Sequence, residues 1–456
     1  MRSEEKTQEA ATLIVGLGRT GLSCARYFRS RGRPFRIMDS RFSPPALAEF
    51  RRAFPDVEPV LGGFSRKEIL SAGEIVLSPG ISLATPEIAE AVQLGIPVIG
   101  DIDIFSRAVS EPVAAVTGSN GKSTVVTLLG EMAREAGLKV GVGGNLDGRA
   151  SMPALDLLRT GVHDLYVLEL SSFQLETTQQ LNARAAVVLN VSEDHLDRYE
   201  SMQQYRAAKL RIFNGCQYRV VNLDDPLAQP DTLPDDRVLR YGLSAPERDG
   251  DFGVVSHEGQ RWLVQGRRRL VAVSELRLVG EHNLSNVLAA LAMGTAVGLS
   301  EPSMVEAVRQ FRGLPHRCQW VGEYKGVAWF NDSKGTNVAA AMNAISSVAN
   351  SIPGQVILIA GGVSKGADFR IMVPVLRGHV GTVVLIGQDA GQLEEAFSDV
   401  ADIQRAASLD EAVSMAAAIA SPGDAVLLSP ACASFDMFQD FAHRGRVFTA
   451  AVEALQ

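Results

Sequence analysis

The chain has 456 residues, of which 46% are hydrophobic and 21% are charged, and its formal net charge is −8 at pH 7. This composition predicts a soluble globular protein with core material for about three domains, and the acidic balance argues against a general nucleic-acid-binding surface. The four cysteines are scattered without a C-x-x-C pair, which suits a reducing compartment and excludes a disulfide or zinc framework. Because the N-terminal segment is polar and no apolar run reaches the ~18 residues of a membrane span, we expect a cytoplasmic protein that does not contact a membrane.

The first hundred residues contain four apolar strand ends separated by helical patterns: "TLIVGLGRTG", "PFRIMDS", "EIVLSPGIS" and "IPVIGD". Strands that alternate with helices predict an α/β fold with a parallel, doubly wound sheet of the Rossmann type. Gly16, Gly18 and Gly21 match the G-x-G-x-x-G pattern after the first strand, and Asp39 ends the next strand where a ribose-binding acid belongs. The motif indicates a bound diphosphate, but it leaves a nicotinamide cofactor and another nucleotide ligand equally open.

A second glycine turn lies in "AVTGSNGKSTVV", residues 115–126, after a linker predicted at residues 107–112. A strand, a glycine turn and a helix start create an anion site, because backbone N–H groups point outward and the helix dipole favours negative charge. Lys122 supplies a cation for β- and γ-phosphates, and the hydroxyl of Ser123 or Thr124 can ligate Mg²⁺. From its first glycine the loop is two residues shorter than the full Walker pattern, yet it predicts an ATP site.

Two further strand ends carry candidate metal ligands. Glu169 and Ser171 follow "DLYVLEL", and a carboxylate beside a phosphate loop can hold Mg²⁺, which prefers oxygen ligands. His195 lies in the acidic stretch "NVSEDHLDRY", where it could ligate a metal, contact a polarised oxygen or simply be solvated. Zinc is not favoured, since the sequence offers no nearby partner ligands. Lys209 in "QYRAAKLRIF" has the pattern of a solvated helix lysine.

The remainder of the chain predicts three further features. Residues 226–276 change character and predict a small antiparallel addition, and "GEHNLSNVLAALAMGTAVGL" predicts a long helix. A third α/β series, again of the Rossmann type, begins after Gly313, so the predicted domains are 1–106, 107–313 and 314–456. Polar side chains at its strand ends should meet over one sheet edge and form a ligand site. They are Asp332, Ser333, Lys334 and Thr336, then Ser364 and Lys365, then Ser429, Ser434 and Asp436.

Together these stretches resemble the Mur ligase family. The matching stretches span nearly the whole chain in family order: "GLGRTGLS", "LSPGIS", "TGSNGKST", "LELSSFQLE", "NVSEDHLDRY", "YRAAKLRI", "GEHNLSNVLAAL", "GLPHR", "NDSKGTN" and "LLSPACASFDMFQDFAHRG". The phosphate loop and the acid–His–Lys series are shared with folylpolyglutamate synthetases, whereas "NDSKGTN" and "SPACASFDMF" are typical of the members that add D-glutamate. The resemblance implies a three-domain enzyme of peptidoglycan precursor synthesis. It would use ATP to join D-glutamate to UDP-N-acetylmuramoyl-L-alanine through an acyl phosphate.

The resemblance also implies roles for individual residues. The UDP part of the substrate would be surrounded by Arg19, Thr20, Asp39, Ser40, Arg41 and Gly80. ATP would be bound by Gly118, Ser119, Asn120, Gly121, Lys122, Ser123 and Thr124, together with Asn283, Arg317 and Asp332. Two Mg²⁺ ions would be held by Ser123 or Thr124, Glu169, His195 and Lys209, the last as a carbamate formed with CO₂. The reaction would be served by Lys122, Asn145, His195 and Lys209, with Asn145 touching the reacting phosphate or acyl group, and D-glutamate would be held by Thr336, Lys365, Ser434 and Phe441.

Three other functions stay open at this point. A nicotinamide dehydrogenase could use residues 12–40, but it gives the "GSNGKST" loop no role. A nucleotide-driven switch would hydrolyse ATP without a small acceptor, and a ligase of the folylpolyglutamate type would share the ATP site. The expected partners are small molecules and no nucleic acid, and a monomer is expected. The base that deprotonates the attacking amine is not evident from the sequence, and His195 is a candidate for it.

Overall fold

The computed structural model describes residues 12–146, 152–192, 198–232, 237–364 and 366–455. Strands and helices alternate along most of this chain, which confirms the predicted α/β class. The described residues form two compact units. One contains the chain up to Val255 together with Leu263–Leu270 and Asn286–Ala307, and the other contains Ser256–Trp262, Val271–Ser285 and the chain from Val308 onward.

Residues 12–108 form a five-stranded sheet with helices on both faces. Its strands are β1 (Thr12–Val15), β2 (Phe35–Asp39), β3 (Val60–Leu61), β4 (Glu74–Leu77) and β5 (Val98–Ile99). Its helices are α1 (Arg19–Ser30), α2 (Leu47–Ala53), α3 (Arg66–Leu70), α4 (Pro86–Gln93) and α5 (Asp101–Ala108). The strand order is β3-β2-β1-β4-β5 and every pair is parallel, as predicted for a Rossmann-type sheet. The sequence analysis does not predict the short strand β3, because this strand is defined by its pairing with β2 and not by a local pattern.

The first glycine motif is required by close packing between β1 and α1. Gly16 has φ +104°, a left-handed conformation that favours glycine. A Cβ atom at Gly21 would lie only 1.9 Å from the carbonyl oxygen of Gly16. Successive β1 side chains enter opposite cores, with Leu13 and Val15 on one face and Ile14 on the other. The sheet is therefore buried on both faces, and its strand ends carry the polar residues.

The central part of the chain forms a nine-stranded sheet within the described residues from 113 to 310. Its strands are β6 (Val113–Thr117), β7 (Val140–Gly144), β8 (Leu165–Glu169), β9 (Ala185–Val188), β10 (Tyr218–Asn222), β11 (Val238–Tyr241), β12 (Phe252–His257), β13 (Gln260–Gln265) and β14 (Arg268–Ala272). Its helices are α6 (Lys122–Glu135), α7 (Ala154–Leu157), α8 (Ser172–Thr177), α9 (Met202–Leu210), α10 (Glu281–Val297) and α11 (Glu301–Gln310). The order is β14-β13-β12-β11-β10-β9-β6-β8-β7, and the pairs from β7 to β11 are parallel. The phosphate loop therefore follows a central strand of the sheet.

The antiparallel addition is smaller than predicted. The prediction covered residues 226–276, but β11 within it pairs with β10 in parallel. Only β12, β13 and β14 are joined by two-residue turns, at 258–259 and 266–267, and such short turns connect only antiparallel neighbours. The predicted linker at residues 107–112 is also shorter, because α5 continues to Ala108.

The C-terminal part of the chain forms a six-stranded sheet over the described residues from 319 to 455. Its strands are β15 (Gln319–Tyr324), β16 (Val327–Asn331), β17 (Val356–Gly361), β18 (Val380–Ile386), β19 (Asp402–Arg405) and β20 (Ala425–Leu428). Its helices are α12 (Val338–Ala349), α13 (Val373–His379), α14 (Ala390–Phe397), α15 (Leu409–Ile419) and α16 (Phe441–Glu453). The order is β15-β16-β20-β17-β18-β19, and only the edge pair of β15 with β16 is antiparallel. Apolar cores cover both faces of this sheet.

No helix in the described ranges of the chain combines the length and the apolar character that crossing a membrane requires.

Candidate active site

The phosphate loop, residues 118–121, joins β6 to α6. Gly121 has φ +83°, and a Cβ atom there would lie 2.3 Å from Oδ1 of Asn286, so the position requires glycine. Asn120 donates its N–H to Oδ1 of Asn190 at 2.8 Å, and the Ser119 hydroxyl donates to the carbonyl oxygen of Ser192 at 3.1 Å. The loop is therefore fastened to the residues that follow β9, and α6 begins directly behind it with its N–H groups towards the loop.

The side chains that open α6 meet the loop and the end of β8. The Lys122 ammonium donates to the carbonyl oxygens of Gly118 and Ser119, both at 2.9 Å. The Ser123 hydroxyl donates to Oε2 of Glu169 at 2.7 Å, and Glu169 is buried. Thr124 lies half-buried in the same first turn of α6. A cation, a hydroxyl and a carboxylate thus gather beside a backbone anion site.

The Ser123–Glu169 pair fits a magnesium ion, because both groups offer the oxygen ligands that Mg²⁺ prefers. Among the described residues, the structure contains no group of three or more His, Cys, Asp or Glu side chains that could hold a metal. The predicted ligand His195 and its acidic neighbours Glu193, Asp194 and Asp197 lie outside the described residues. The described chain therefore offers two of the predicted protein ligands side by side.

Lys209 is buried beneath the phosphate loop. Lys209 is 2% exposed, and its ammonium donates to the carbonyl oxygen of Gly118 at 2.9 Å. The same ammonium lies 4.5 Å from the ring centroid of Tyr205, one helical turn earlier on α9. Tyr205 in turn places its hydroxyl 3.1 Å from the Ser119 hydroxyl. The interpretation of Lys209 as a solvated helix lysine is wrong, because α9 packs against the loop along this side.

A cavity of about 530 Å³ opens at the carboxyl ends of β1, β2 and β4. Its lining includes all six residues that were expected to surround the UDP group: Arg19, Thr20, Asp39, Ser40, Arg41 and Gly80. Asn145 and Gln174 from the central part of the chain also line it. The backbone N–H of Asn145 donates to the carbonyl oxygen of Glu169 at 2.8 Å. The cavity and the predicted magnesium ligand are therefore joined through a single residue.

Asp39 does not present an open carboxylate for a ribose. Its Oδ2 accepts the N–H of Leu17 at 2.7 Å, and both of its oxygens accept from the Arg41 guanidinium, at 2.8 and 2.7 Å. Burial acts to raise the pKa of Asp39, but the hydrogen bonds from Arg41 and Leu17 outweigh it and the pKa is lowered. The Asp39 carboxylate holds Arg41 at the cavity, and the guanidinium of Arg41 is the group available to a ligand.

In the second unit, three loops that follow parallel strands meet as predicted. The N–H of Ala431 donates to the carbonyl oxygen of Gly335 at 2.9 Å, and Val363 pairs with Ala433. Ser434 is buried at this junction, and Thr336, which directly follows Gly335, is half-buried. Lys365, the predicted ligand of a carboxylate, lies outside the described residues.

One of the three residues assigned to the nucleotide in this unit, Asp332, is a buried acid. Asp332 accepts from the Ser429 hydroxyl at 2.7 Å and from the N–H of Cys318 at 3.0 Å. Burial raises its pKa to about 7 despite these hydrogen bonds. Arg317 is exposed and adjacent in sequence to Cys318, whereas Asn283 opens α10 and donates to the carbonyl oxygen of Val279 at 2.8 Å.

Arg444 is a residue that the sequence analysis did not single out. It is 1% exposed, and its guanidinium donates to the hydroxyl and carbonyl oxygens of Ser333 at 2.9 and 2.8 Å and to the carbonyl oxygen of Cys432 at 3.2 Å. The Ser333 hydroxyl donates onward to the carbonyl oxygen of Phe441 at 2.7 Å. Arg444 therefore ties the loops after β16 and β20 together. The stretch "FAHRG" contains it, but no local pattern marks an arginine as buried.

Three family models match successive parts of the chain. They describe a Mur ligase MurD-like N-terminal domain at residues 10–100, a Mur ligase middle domain at 116–294 and a Mur ligase glutamate ligase domain at 316–432. The chain belongs to the Mur ligase family.

Within that family the chain is similar to proteins named UDP-N-acetylmuramoylalanine–D-glutamate ligase. It is 52% identical to the one from Marinobacter nauticus over 455 residues, which covers 97% of this chain and 98% of that protein. It is 50% identical to the one from Pseudomonas aeruginosa over 447 residues, with the same coverage of both chains.

Solved structures support the three-domain fold. UDP-N-acetylmuramate-alanine ligase MurC from Thermotoga maritima superimposes with a TM-score of 0.54 at 17% identity and covers 98% of this chain and 100% of that one. A UDP-N-acetylmuramoyl-L-alanyl-D-glutamate–2,6-diaminopimelate ligase gives a TM-score of 0.61 at 20% identity and covers 85% and 89%. The likeness extends to the fold, with one sheet each for the N-terminal, central and C-terminal domains.

Proposed function

We propose that the chain is a ligase that uses ATP to join D-glutamate to UDP-N-acetylmuramoyl-L-alanine in peptidoglycan precursor synthesis. The relatives that are 50–52% identical to this chain are named for this activity, and the match covers nearly their whole length. The structural observation that carries the proposal is the position of Asn145. Asn145 lines the cavity together with the residues that were expected to surround the UDP group. Its backbone N–H donates to the carbonyl oxygen of Glu169, and the carboxylate of Glu169 accepts from Ser123 beside the phosphate loop. A carboxylate substrate in the cavity can therefore approach a phosphate on the loop.

The chemistry follows from the weak electrophilicity of a carboxylate. A carboxylate oxygen of the L-alanine residue attacks the γ-phosphorus of ATP, and ADP leaves. The neutral amine of D-glutamate then attacks the acyl carbon, a tetrahedral intermediate forms, and inorganic phosphate leaves as the nitrogen loses a proton. Phosphoryl transfer depends mainly on positioning and on neutralising charge. Lys122 and the N-terminus of α6 supply positive charge at the loop, and Arg41, held by Asp39, supplies it at the cavity.

Magnesium would be held by Ser123 or Thr124 and by Glu169, and it would neutralise charge on the phosphates. We assign a second ion to His195 and to Lys209 in carbamylated form. Addition of CO₂ to the neutral amine of Lys209, with loss of a proton, gives an anionic oxygen ligand in place of a cation. The burial of Lys209 against Gly118 supports this assignment, because a solvated lysine could not reach the loop.

The second unit would bind D-glutamate and part of the nucleotide. We assign D-glutamate to Thr336, Lys365, Ser434 and Phe441. We assign the nucleotide to Asn283, Arg317 and Asp332 in addition to the residues of the phosphate loop. The junction of the three loops and the burial of Ser434 support a built site there. We further propose that the domains end near residues 106 and 313, and that the protein acts as a cytoplasmic monomer on small molecules.

The test is the release of phosphate from ATP with UDP-N-acetylmuramoyl-L-alanine and with D-glutamate, L-glutamate or no amino acid. The proposal predicts release that requires both the muramoyl substrate and D-glutamate. Release with ATP alone would instead identify a nucleotide-driven switch. Release with a folate substrate, or binding of NADH at the first glycine turn, would favour the corresponding alternative enzyme.

A further inference from the structure

Arg198 joins two separate parts of the first unit. Its side chain is 13% exposed, and its Nη2 donates to Oε2 of Glu176 at 2.7 Å and to the carbonyl oxygen of Ile81 at 3.2 Å. Its guanidinium carbon lies 4.7 Å from the ring centroid of Phe173. An arginine fork can make directed hydrogen bonds while its planar face packs on an aromatic ring, and a lysine cannot combine these contacts.

The partners of Arg198 belong to the two halves of the candidate active site. Ile81 lies on the loop after β4 and lines the cavity together with Ser78 and Gly80. Phe173 and Glu176 lie on α8, which begins three residues after Glu169. One side chain therefore connects a wall of the cavity to the segment that carries the predicted magnesium ligand.

We propose that Arg198 is a positioning residue that sets the muramoyl substrate in the cavity against the phosphate bound at residues 118–121. This inference rests on the proposed function, because it requires one reactant in the cavity and the other on the loop. Phosphoryl transfer requires the reacting atoms to be about 3–3.5 Å apart, and a displacement of about 1 Å can cost about a hundredfold in rate. Loosening the link between Ile81 and α8 would therefore slow the reaction without removing either binding site.

Arg26 provides a matched control, because it also links the N-terminal sheet to the central part of the chain. It lies on α1, pairs with Glu49, and its Nη1 is 3.5 Å from Oδ2 of Asp156 on α7. Its side chain is 25% exposed. Neither of its partners lines the cavity or belongs to the phosphate loop. If Arg198 only stabilised the unit, its replacement and the replacement of Arg26 should therefore have the same effect on kcat.

The experiment compares Arg198→Lys and Arg26→Lys in the full chain. For each variant, kcat is measured for D-glutamate-dependent phosphate release, and the Kd values for ATP and for UDP-N-acetylmuramoyl-L-alanine are measured by calorimetry. We expect Arg198→Lys to lower kcat by at least about tenfold while each Kd stays within about threefold. Arg26→Lys should leave kcat within about twofold. The melting temperature of each variant separates lost stability from lost positioning.

Glu176→Gln supplies a second variant, which keeps an acceptor but removes the charge. It should lower kcat less than Arg198→Lys, because Arg198 keeps its contacts with Ile81 and Phe173. The double variant should lose no more than Arg198→Lys alone, because Glu176 contributes through its contact with Arg198. An unchanged kcat in Arg198→Lys would overturn the inference, as would an equal loss in Arg26→Lys. Wild-type protein without D-glutamate-dependent release would overturn the proposed function itself, which the wild-type measurement detects separately.

Discussion

The two glycine turns of the first unit have the same backbone arrangement. Residues 16–21 and residues 118–121 each follow a buried parallel strand and each lead into a helix. Gly16 and Gly121 both have positive φ, and at both turns a substituent would collide with neighbouring atoms. The backbone of either turn can therefore hold a phosphate group.

The side chains around the two turns differ, and they decide the chemistry. The second turn is followed by Lys122 and Ser123, with Glu169 at the next strand end, so it gathers a cation and oxygen ligands for a metal. The first turn lacks a lysine, and its neighbouring acid Asp39 is engaged by Arg41. The comparison teaches that a glycine pattern indicates a backbone suited to a phosphate group, whereas the side chains at the neighbouring strand ends indicate which chemistry is possible there.

The largest expected effect comes from Lys122→Ala. Removing the ammonium from the second turn should lower phosphate release by roughly a thousandfold, because the charge of the transferring phosphoryl group is no longer neutralised. The Kd for the UDP substrate should not change, since the cavity at the first turn is untouched. Lys139→Ala, at an exposed lysine beyond α6, is the control and should be active. An active Lys122→Ala variant would contradict the difference between the turns.

Gly121→Ala tests whether the backbone of the second turn is itself required. The new Cβ would meet Oδ1 of Asn286 at 2.3 Å and force φ away from +83°. Because this strain of about 1–3 kcal/mol distorts the turn, the affinity for ATP should fall by about tenfold or more. Gly137→Ala is matched, because Gly137 has φ +80° but no atom within 4 Å of the new Cβ. That control should lose stability of about 1 kcal/mol and keep its ATP affinity. Equal ATP affinities in the two variants would show that the loop tolerates the side chain.

Asp39→Asn tests the ion pair at the first turn. Without the carboxylate charge, Arg41 should leave the cavity, and the Kd for UDP-N-acetylmuramoyl-L-alanine should rise by about tenfold, or ~1.4 kcal/mol. ATP affinity should not change. Asp56→Asn is the control, because Asp56, in the turn after α2, receives two hydrogen bonds from Arg29 on α1 but does not line the cavity. The measurement is calorimetric titration of each variant with each ligand.

The last expected effect is on the pH dependence of stability, and it comes from Asp332 in the second unit. Burial raises its pKa from 3.8 to about 7, so the folded chain keeps a proton that the unfolded chain releases between these values. The free energy of unfolding should therefore fall as pH rises from about 4 to about 7 and then level off. Asp332→Asn should flatten this part of the pH profile in urea unfolding. A wild-type profile that rises between these pH values would contradict the assignment.

The sequence predicts the fold well wherever the signal is local. Apolar runs followed by Gly16, Gly118 or Gly361 mark the strand ends, and Lys122 follows its turn directly, so the three sheets and the phosphate loop could be predicted. The two-residue strand β3 and the parallel pairing of β11 could not, because they depend on neighbours distant in sequence. The family resemblance supplied the roles that no local pattern carries.

The side chains that sequence reasoning misjudged are those whose partners lie far along the chain. Lys209 bonds to Gly118, 91 residues away, and Arg444 bonds to Ser333, 111 residues away. A helix position alone does not reveal either contact, so both residues read as ordinary charged side chains. Asp39 lines the cavity as expected, but its pairing with Arg41 two residues later is not evident from the strand-end pattern.

The proposal that one reactant binds at each turn is tested most directly by an isotope transfer measurement. UDP-N-acetylmuramoyl-L-alanine with oxygen-18 in its alanine carboxylate is incubated with ATP, Mg²⁺ and D-glutamate, and the released phosphate is analysed by mass. If the carboxylate held at the first turn attacks the phosphate held at the second, each released phosphate carries one labelled oxygen. Unlabelled phosphate would mean that water attacks ATP, and it would contradict the account.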